Sequence, residues 1–172
     1  SVATGFLHAF FWTPPGPMID LGTLGGGYSV ASDVNNHGQI AGQSEDALGQ
    51  SWAVVWTNTG GTWAIENLGT VTGACCASAQ GINNGSAAEP NTVAVVGSSE
   101  GHAVVWTKSA TGWVIQDLGT LPGDIFSLAE DVNDHGAIVG RSRSKTGVTS
   151  GFLWPAATGM FRLSGLGGET GA

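Results

Sequence analysis

Along this chain the apolar residues come in short blocks separated by Gly-, Asn- and Asp-rich punctuation, and no stretch carries a 3.6-residue apolar period with caps. One kind of block is continuous. His8-Ala-Phe-Phe-Trp12, Trp52-Ala-Val-Val-Trp56, His102-Ala-Val-Val-Trp106 and Ser150-Gly-Phe-Leu-Trp154 each predict a strand buried on both faces. A second kind alternates: Trp63, Ile65 and Asn67 interleave with Ala64, Glu66 and Leu68, which predicts a half-exposed strand. Met18–Leu21, Trp113–Leu118 and Met160–Leu163 stand in the same place. Two further strands are expected before each of the last three continuous blocks. The first covers Ser32–Asn35, Gln80–Asn83 and Glu130–Asn133; the second covers Gln39–Ser44, Val93–Ser98 and Ala137–Ser142. Between them, Asn35-Asn-His-Gly38 and Asn133-Asp-His-Gly136 place Gly where a hairpin turn needs positive φ. Gly42, Gly97 and Gly140, inside the second strands, mark either a bulge or a close backbone approach.

The blocks repeat. Trp12, Trp56, Trp106 and Trp154 are 44, 50 and 48 residues apart, and Val34, Ile82 and Val132 are 48 and 50 apart. Two independent anchors agree on a supersecondary unit stacked against its neighbours. Four strands in a unit of this length match a β-propeller blade. The expected fold is therefore all-β, a β-propeller-like array of four-stranded antiparallel blades numbering about three and a half. The single repeat domain spans 1–172: a half unit at 1–31 and units at 32–78, 79–128 and 129–172.

Composition narrows the function classes. Net charge is −8, and all five basic residues (Lys108, Arg141, Arg143, Lys145, Arg162) lie from residue 108 onward. Such a chain is repelled by phosphate backbones, so nucleic-acid binding is not expected. No apolar run reaches membrane-spanning length. Cys75 and Cys76 are neighbours, which leaves a vicinal disulfide, two free thiols or a bridge to another chain. Few Lys and many Gly, Ser, Thr and Trp suit a secreted protein, and Ser1 in place of an initiator Met suits a processed or excised chain.

Three motifs at fixed offsets add a resemblance. His8-Ala-Phe-Phe-Trp12, Asp20-Leu-Gly-Thr-Leu-Gly-Gly26 and Asp33-Val-Asn-Asn-His-Gly38 resemble the bacterial extracellular repeat named for its His-Ala-Phe motif, the HAF repeat, over essentially the whole chain. The resemblance implies an exported, propeller-like repeat protein. Trp52-Ala-Val, His102-Ala-Val and Ser150-Gly-Phe stand where the other units would carry the name motif.

Candidate chemistry is sparse. The loops entering the first strands and joining the second to the third are expected on one face. That face would gather Tyr28, Cys75, Cys76, Asp124 and Phe126 with Glu45, Asp46, Glu100, Arg141, Arg143 and Lys145. Tyr28, Asp124, Phe126, Arg141 and Arg143 are the candidates for ligand binding. His37 and His135 each follow an Asp (Asp33, Asp131) by four residues. They are either turn residues or catalytic and metal-binding groups whose imidazoles the Asp orients. His8 and His102 either cap a strand or share a Zn²⁺ site with other ligands. Asp33 and Asp131 either anchor hairpin N–H groups or bind Ca²⁺. No cofactor is expected, with Ca²⁺ or Zn²⁺ as the alternatives. Gly25-Gly26-Gly27-Tyr28 reads as a flexible strand connection, since no helix start follows it to hold a phosphate. Trp52, Trp63 and Trp113 are expected in packing between units rather than as a sugar-stacking surface.

The expectation is a secreted, non-catalytic module that binds carbohydrate, a small molecule, a surface protein or its own copies. Its rivals are a propeller-type hydrolase using Asp33, Asp131, His37 and His135 and a filament subunit. Three and a half units leave unpaired edges, so a homo-oligomer or the rest of a longer propeller chain is the expected partner.

Overall fold

The computed structural model describes residues 5–85, 93–155 and 157–163. Residues 86–92, by which the second unit's first hairpin is longer than the others, and most of Leu163-Ser-Gly-Leu-Gly-Gly168, which echoes Asp20-Leu-Gly-Thr-Leu-Gly-Gly26 in sequence, lie outside them. Fourteen strands and no helix are present among the described residues, hence no helix long and apolar enough to cross a membrane.

The strands form one two-stranded and three four-stranded antiparallel sheets. β1 (Phe10–Phe11) pairs with β2 (Ile19–Asp20). The first full sheet runs β3 (Gly25–Val34), β4 (Ile40–Asp46), β5 (Ser51–Thr59), β6 (Thr62–Asn67). The second runs β7 (Ala77–Ile82), β8 (Ala94–Ser99), β9 (His102–Ser109), β10 (Gly112–Gly119). The third runs β11 (Asp124–Val132), β12 (Ile138–Ser144), β13 (Thr149–Trp154), β14 (Phe161–Arg162). Each sheet is a simple meander, so neighbours in sequence are neighbours in space. Each of the fourteen strands overlaps one of the expected strands.

The first strands begin earlier than Ser32, Gln80 and Glu130. β3 includes Gly25-Gly26-Gly27-Tyr28, which is an irregular strand start, Gly25 opposite Asp46 and Tyr28 bridged to Leu7, rather than a flexible connection. Glycine disguises it, and packing requires glycine there: a Cβ on Gly26 would lie 2.5 Å from the Asp46 carbonyl oxygen, and one on Gly27 would lie 2.5 Å from the Phe6 ring.

The inner glycines of β4, β8 and β12 serve both predicted roles at once. Opposite each, the first strand carries a one-residue bulge, at Ser32, Gln80 and Glu130. The kinked strand presses a carbonyl onto the glycine. A Cβ on Gly42, Gly97 or Gly140 would lie 2.0, 1.9 or 2.1 Å from the carbonyl oxygens of Val30, Ser78 and Leu128.

The sheets stack face to face through three apolar layers. Ala9 and Leu21 of the half unit meet Ile40, Val54 and Trp56. The opposite face of that sheet (Ala41, Ala53, Val55) meets Ala77, Ile82, Val95, Val104 and Trp106. Val96, Ala103 and Val105 then meet Val132, Ile138, Phe152 and Trp154. Because β5 and β9 are covered on both sides, alternate residues feed alternate layers, and their sequences read as continuous apolar runs. Trp63 and Trp113 pack into these layers from the fourth strands.

Candidate functional site

The most repeated candidate residues connect one unit to the next. In the turn after β3, Asn35 Oδ1 accepts from the His37 and Gln39 amides, and Gly38 takes positive φ. The Asn35 side chain donates to the Asn83 carbonyl (3.1 Å), and the Asn83 side chain donates to the Asn133 carbonyl (3.1 Å). Beside this, the Asn36 amide donates to Asn84 Oδ1 and the Asn84 amide donates to Asp134 Oδ1. Those Asn84 contacts, backbone first, hold the Asp134 carboxyl below its ordinary range.

Asp33 belongs to the same ladder. Its Oδ1 accepts from the Val34 amide, and its Oδ2 accepts from the Ile82 amide of the next sheet at 2.9 Å. Within its own hairpin it holds the Val34 amide, and it does not orient His37, whose Nε2 lies 3.0 Å from the Asn84 carbonyl. Asp131 bonds the Val132 amide, and the His135 amide donates to Asn133. Gly81 stands where the other units carry Asp33 and Asp131; a Cβ there would lie 3.1 Å from the Asp131 Cα. Asp33, set beside the bulge at Ser32, thus acts as a joint between the first and second sheets, while Asp131 holds an amide of its own strand.

His8 and His102 each meet an Asp on the adjacent fourth strand rather than a backbone carbonyl. His8 Nδ1 lies 2.9 Å from Asp20, and His102 Nδ1 lies 2.9 Å from Asp117. Each Asp also accepts an amide two residues on, from Gly22 or Gly119, so it fastens the seam as well as the ring. Burial raises the Asp20 carboxyl, but the Gly22 amide and the His8 ring outweigh it and hold it below its usual range. No cluster of three or more His, Cys, Asp or Glu arranged to hold a metal occurs among the described residues.

Three of the five ligand-binding candidates come together. Arg141 and Arg143 alternate on β12 with the buried Ile138 and Ser142, so they project from the outer face of the third sheet. Register brings Phe126 opposite Arg143 on one side and Thr149 opposite it on the other. These four residues line a recess of about 320 Å³. Arg141 is drawn to Glu130 at 3.1 Å, while Arg143 has no ion pair among the described residues. Thr149 had no distinguishing signal in the sequence beyond its place opposite Arg143.

The other two candidates lie apart. Tyr28 sits in β3 beside Leu7. Asp124 stands at the start of β11 with its side chain buried, its Oδ2 lacking a hydrogen bond and 3.9 Å from Arg162. Of the expected loop face, Cys75, Cys76, Glu100 and Lys145 lie in connections, whereas Tyr28, Glu45, Asp46, Asp124, Phe126, Arg141 and Arg143 lie within strands.

A shallower groove of about 360 Å³ draws on all three sheets, with Gln43, Ser51, Cys76, Glu100 and Phe126 among its lining. Cys75 and Cys76 are free thiols with sulfurs 2.7 Å apart, and the contact with Cys75 raises the Cys76 pKa.

No family model, curated protein or solved structure matches this chain.

Proposed function

We propose that the chain is a non-catalytic, exported binding module with propeller-like stacking of its sheets, and that it takes an acidic carbohydrate at the β12 recess. The carrying observation is the recess itself: two guanidinium groups, a phenyl ring and a hydroxyl on one face of the third sheet. Guanidinium forks suit carboxylates, and an aromatic edge suits the apolar face of a sugar ring. An otherwise acidic chain that concentrates Arg141, Arg143 and Lys145 on one strand and its turn favours an anionic ligand there. β12 and β13, which carry Arg141, Arg143 and Thr149, are each paired on both sides, which limits the ordering cost of binding. The hydrolase reading loses support because Asp33 is taken up in contacts between sheets and Asp131 by its neighbouring amide.

Calorimetric titration with trigalacturonate, with neutral trigalactose as the control, tests this reading. Binding of the acidic sugar alone is expected, weakened at least tenfold by Arg143→Ala and by raised salt. Equal binding of both sugars, or of neither, would overturn it.

A further inference from the structure

Every full unit holds its third strand between a second and a fourth. The half unit does not: β1 pairs only with β2 among the described residues, and its other edge is open. The half unit is nevertheless seated as the others are. The Leu7 carbonyl accepts from the Ser29 amide, as Ser51 accepts from Cys76 and Gly101 from Ser127. The Leu21 amide donates to Ala9 as Leu68 does to Ala53 and Leu163 to Gly151.

The burial pattern shows what is uncovered. Phe10 and Trp12 correspond to Val54 and Trp56, Val104 and Trp106, and Phe152 and Trp154. The full-unit residues are 0–9% exposed, whereas Phe10 and Trp12 are 55% and 51% exposed. Val34 is 55% exposed, while Ile82 and Val132, its counterparts, are each 5% exposed. Phe10, Phe11, Trp12, Ala31, Val34 and Ile40 line one apolar groove of about 400 Å³ between the open edge of β1 and the bulged end of β3. In each full unit the region beside the third strand is filled by a first–second strand hairpin.

The ladder ends are open in the matching sense. Each turn Asn donates to the next unit's carbonyl. Continued backward, that rule leaves the Asn35 carbonyl to accept from a preceding turn.

We propose that this groove docks one additional β-hairpin of the same repeat, with its second strand pairing antiparallel to β1 and its Asn-containing turn donating to Asn35. This is strand addition at a sheet edge, with main-chain bonds giving affinity and the apolar groove giving register. The occupant is a hairpin segment rather than a second folded copy. In a folded copy all three such hairpins are already paired with β5, β9 and β13.

The test uses the whole chain and a synthetic peptide of residues 25–46, which contains no Trp. Saturable one-to-one binding is expected, with a blue shift in tryptophan emission that disappears in Trp12→Phe. Phe10→Asp is expected to weaken binding at least tenfold. A peptide carrying Gly42→Val is expected not to bind, because its Cβ collides with the Val30 carbonyl and prevents the bulged hairpin. No shift at millimolar peptide, equal binding of the valine peptide, or a shift produced by the chain's own concentration with a matching rise in mass would each overturn the proposal. The last result would assign the groove to a second copy.

Discussion

Ser29 and Ser127 are buried hydroxyls that each close two backbone groups: they accept from the Ala9 and Ala103 amides and donate to the Gly22 and Gly119 carbonyls. Ala77 holds the equivalent place in the middle sheet and has no hydroxyl to offer. There the Trp106 indole donates to the Gly69 carbonyl instead, at 3.2 Å. Buried carbonyls rarely go without a donor, so the substitution is tolerated where the ring supplies one. Glycine is less replaceable. At Gly97 a Cβ would lie 1.9 Å from the Ser78 carbonyl, and backbone on both sides prevents an easy shift. Gly97→Ala should therefore cost about 2–3 kcal/mol in urea unfolding, at the upper end of overpacking costs. Gly38→Ala, in open space at positive φ, should cost about 1–2 kcal/mol, because only the left-handed backbone opposes it. If Gly97→Ala were the milder of the two, the close-approach account of the inner glycines would be wrong.

Between elements, the same positions show partners changing together. His8 faces Asp20 and His102 faces Asp117, whereas Trp52 occurs with Asn67, and Ser150 with Arg162, whose guanidinium donates to its hydroxyl. That coupling was readable in the repeats, because the third-strand start and the fourth-strand end change as a pair. The strands were readable for a related reason: layers on both sides of β5 and β9 force continuous apolar runs. The starts of β3 and β11 were less readable, since Gly25–Tyr28 and Asp124 carry turn-forming residues where the ladder is irregular. The recess was half readable, through the Arg141 and Arg143 alternation, while its Thr149 wall depends on register alone. Glu66 illustrates a contact that no pattern shows. From β6 it reaches Lys108 and the Trp113 indole of the next sheet. Lys108 chiefly holds its carboxyl below the usual range, against burial and with help from Trp113. A depressed folded pKa adds stability that is present above the unfolded value and is lost as pH falls through the folded one. Glu66→Gln should thus cost about 0.5–1 kcal/mol at pH 7, a modest figure for a half-exposed pair. Its deficit against the parent should shrink toward zero in unfolding measured near pH 3. A deficit independent of pH would mean that packing, not charge, joins these sheets.

For the whole molecule, the ladder makes the middle turn the place where coupling concentrates. Asn83 accepts from the Gly85 and Ala94 amides, receives the Asn35 side chain on its carbonyl, and donates to the Asn133 carbonyl. Asn133 holds only its own turn, through the His135 and Ala137 amides, and receives Asn83. In a stacked array, stability is a sum of unit terms and nearest-neighbour terms. Asn83→Ala removes an intra-turn anchor and a joint to the third sheet, leaving buried amides unpaired; about 2–4 kcal/mol follows from two to three such losses. Asn133→Ala removes one turn anchor and should cost about half as much. The distinction extends beyond magnitude. Loss of the joint should let the third sheet open apart from the first two, so hydrogen exchange in Asn83→Ala should accelerate in β11–β13 more than in β3–β5. In Asn133→Ala the acceleration should stay near the β11–β12 turn. Uniform acceleration across all three sheets in both variants would show that the apolar layers couple the units and that the asparagine ladder only sets their register.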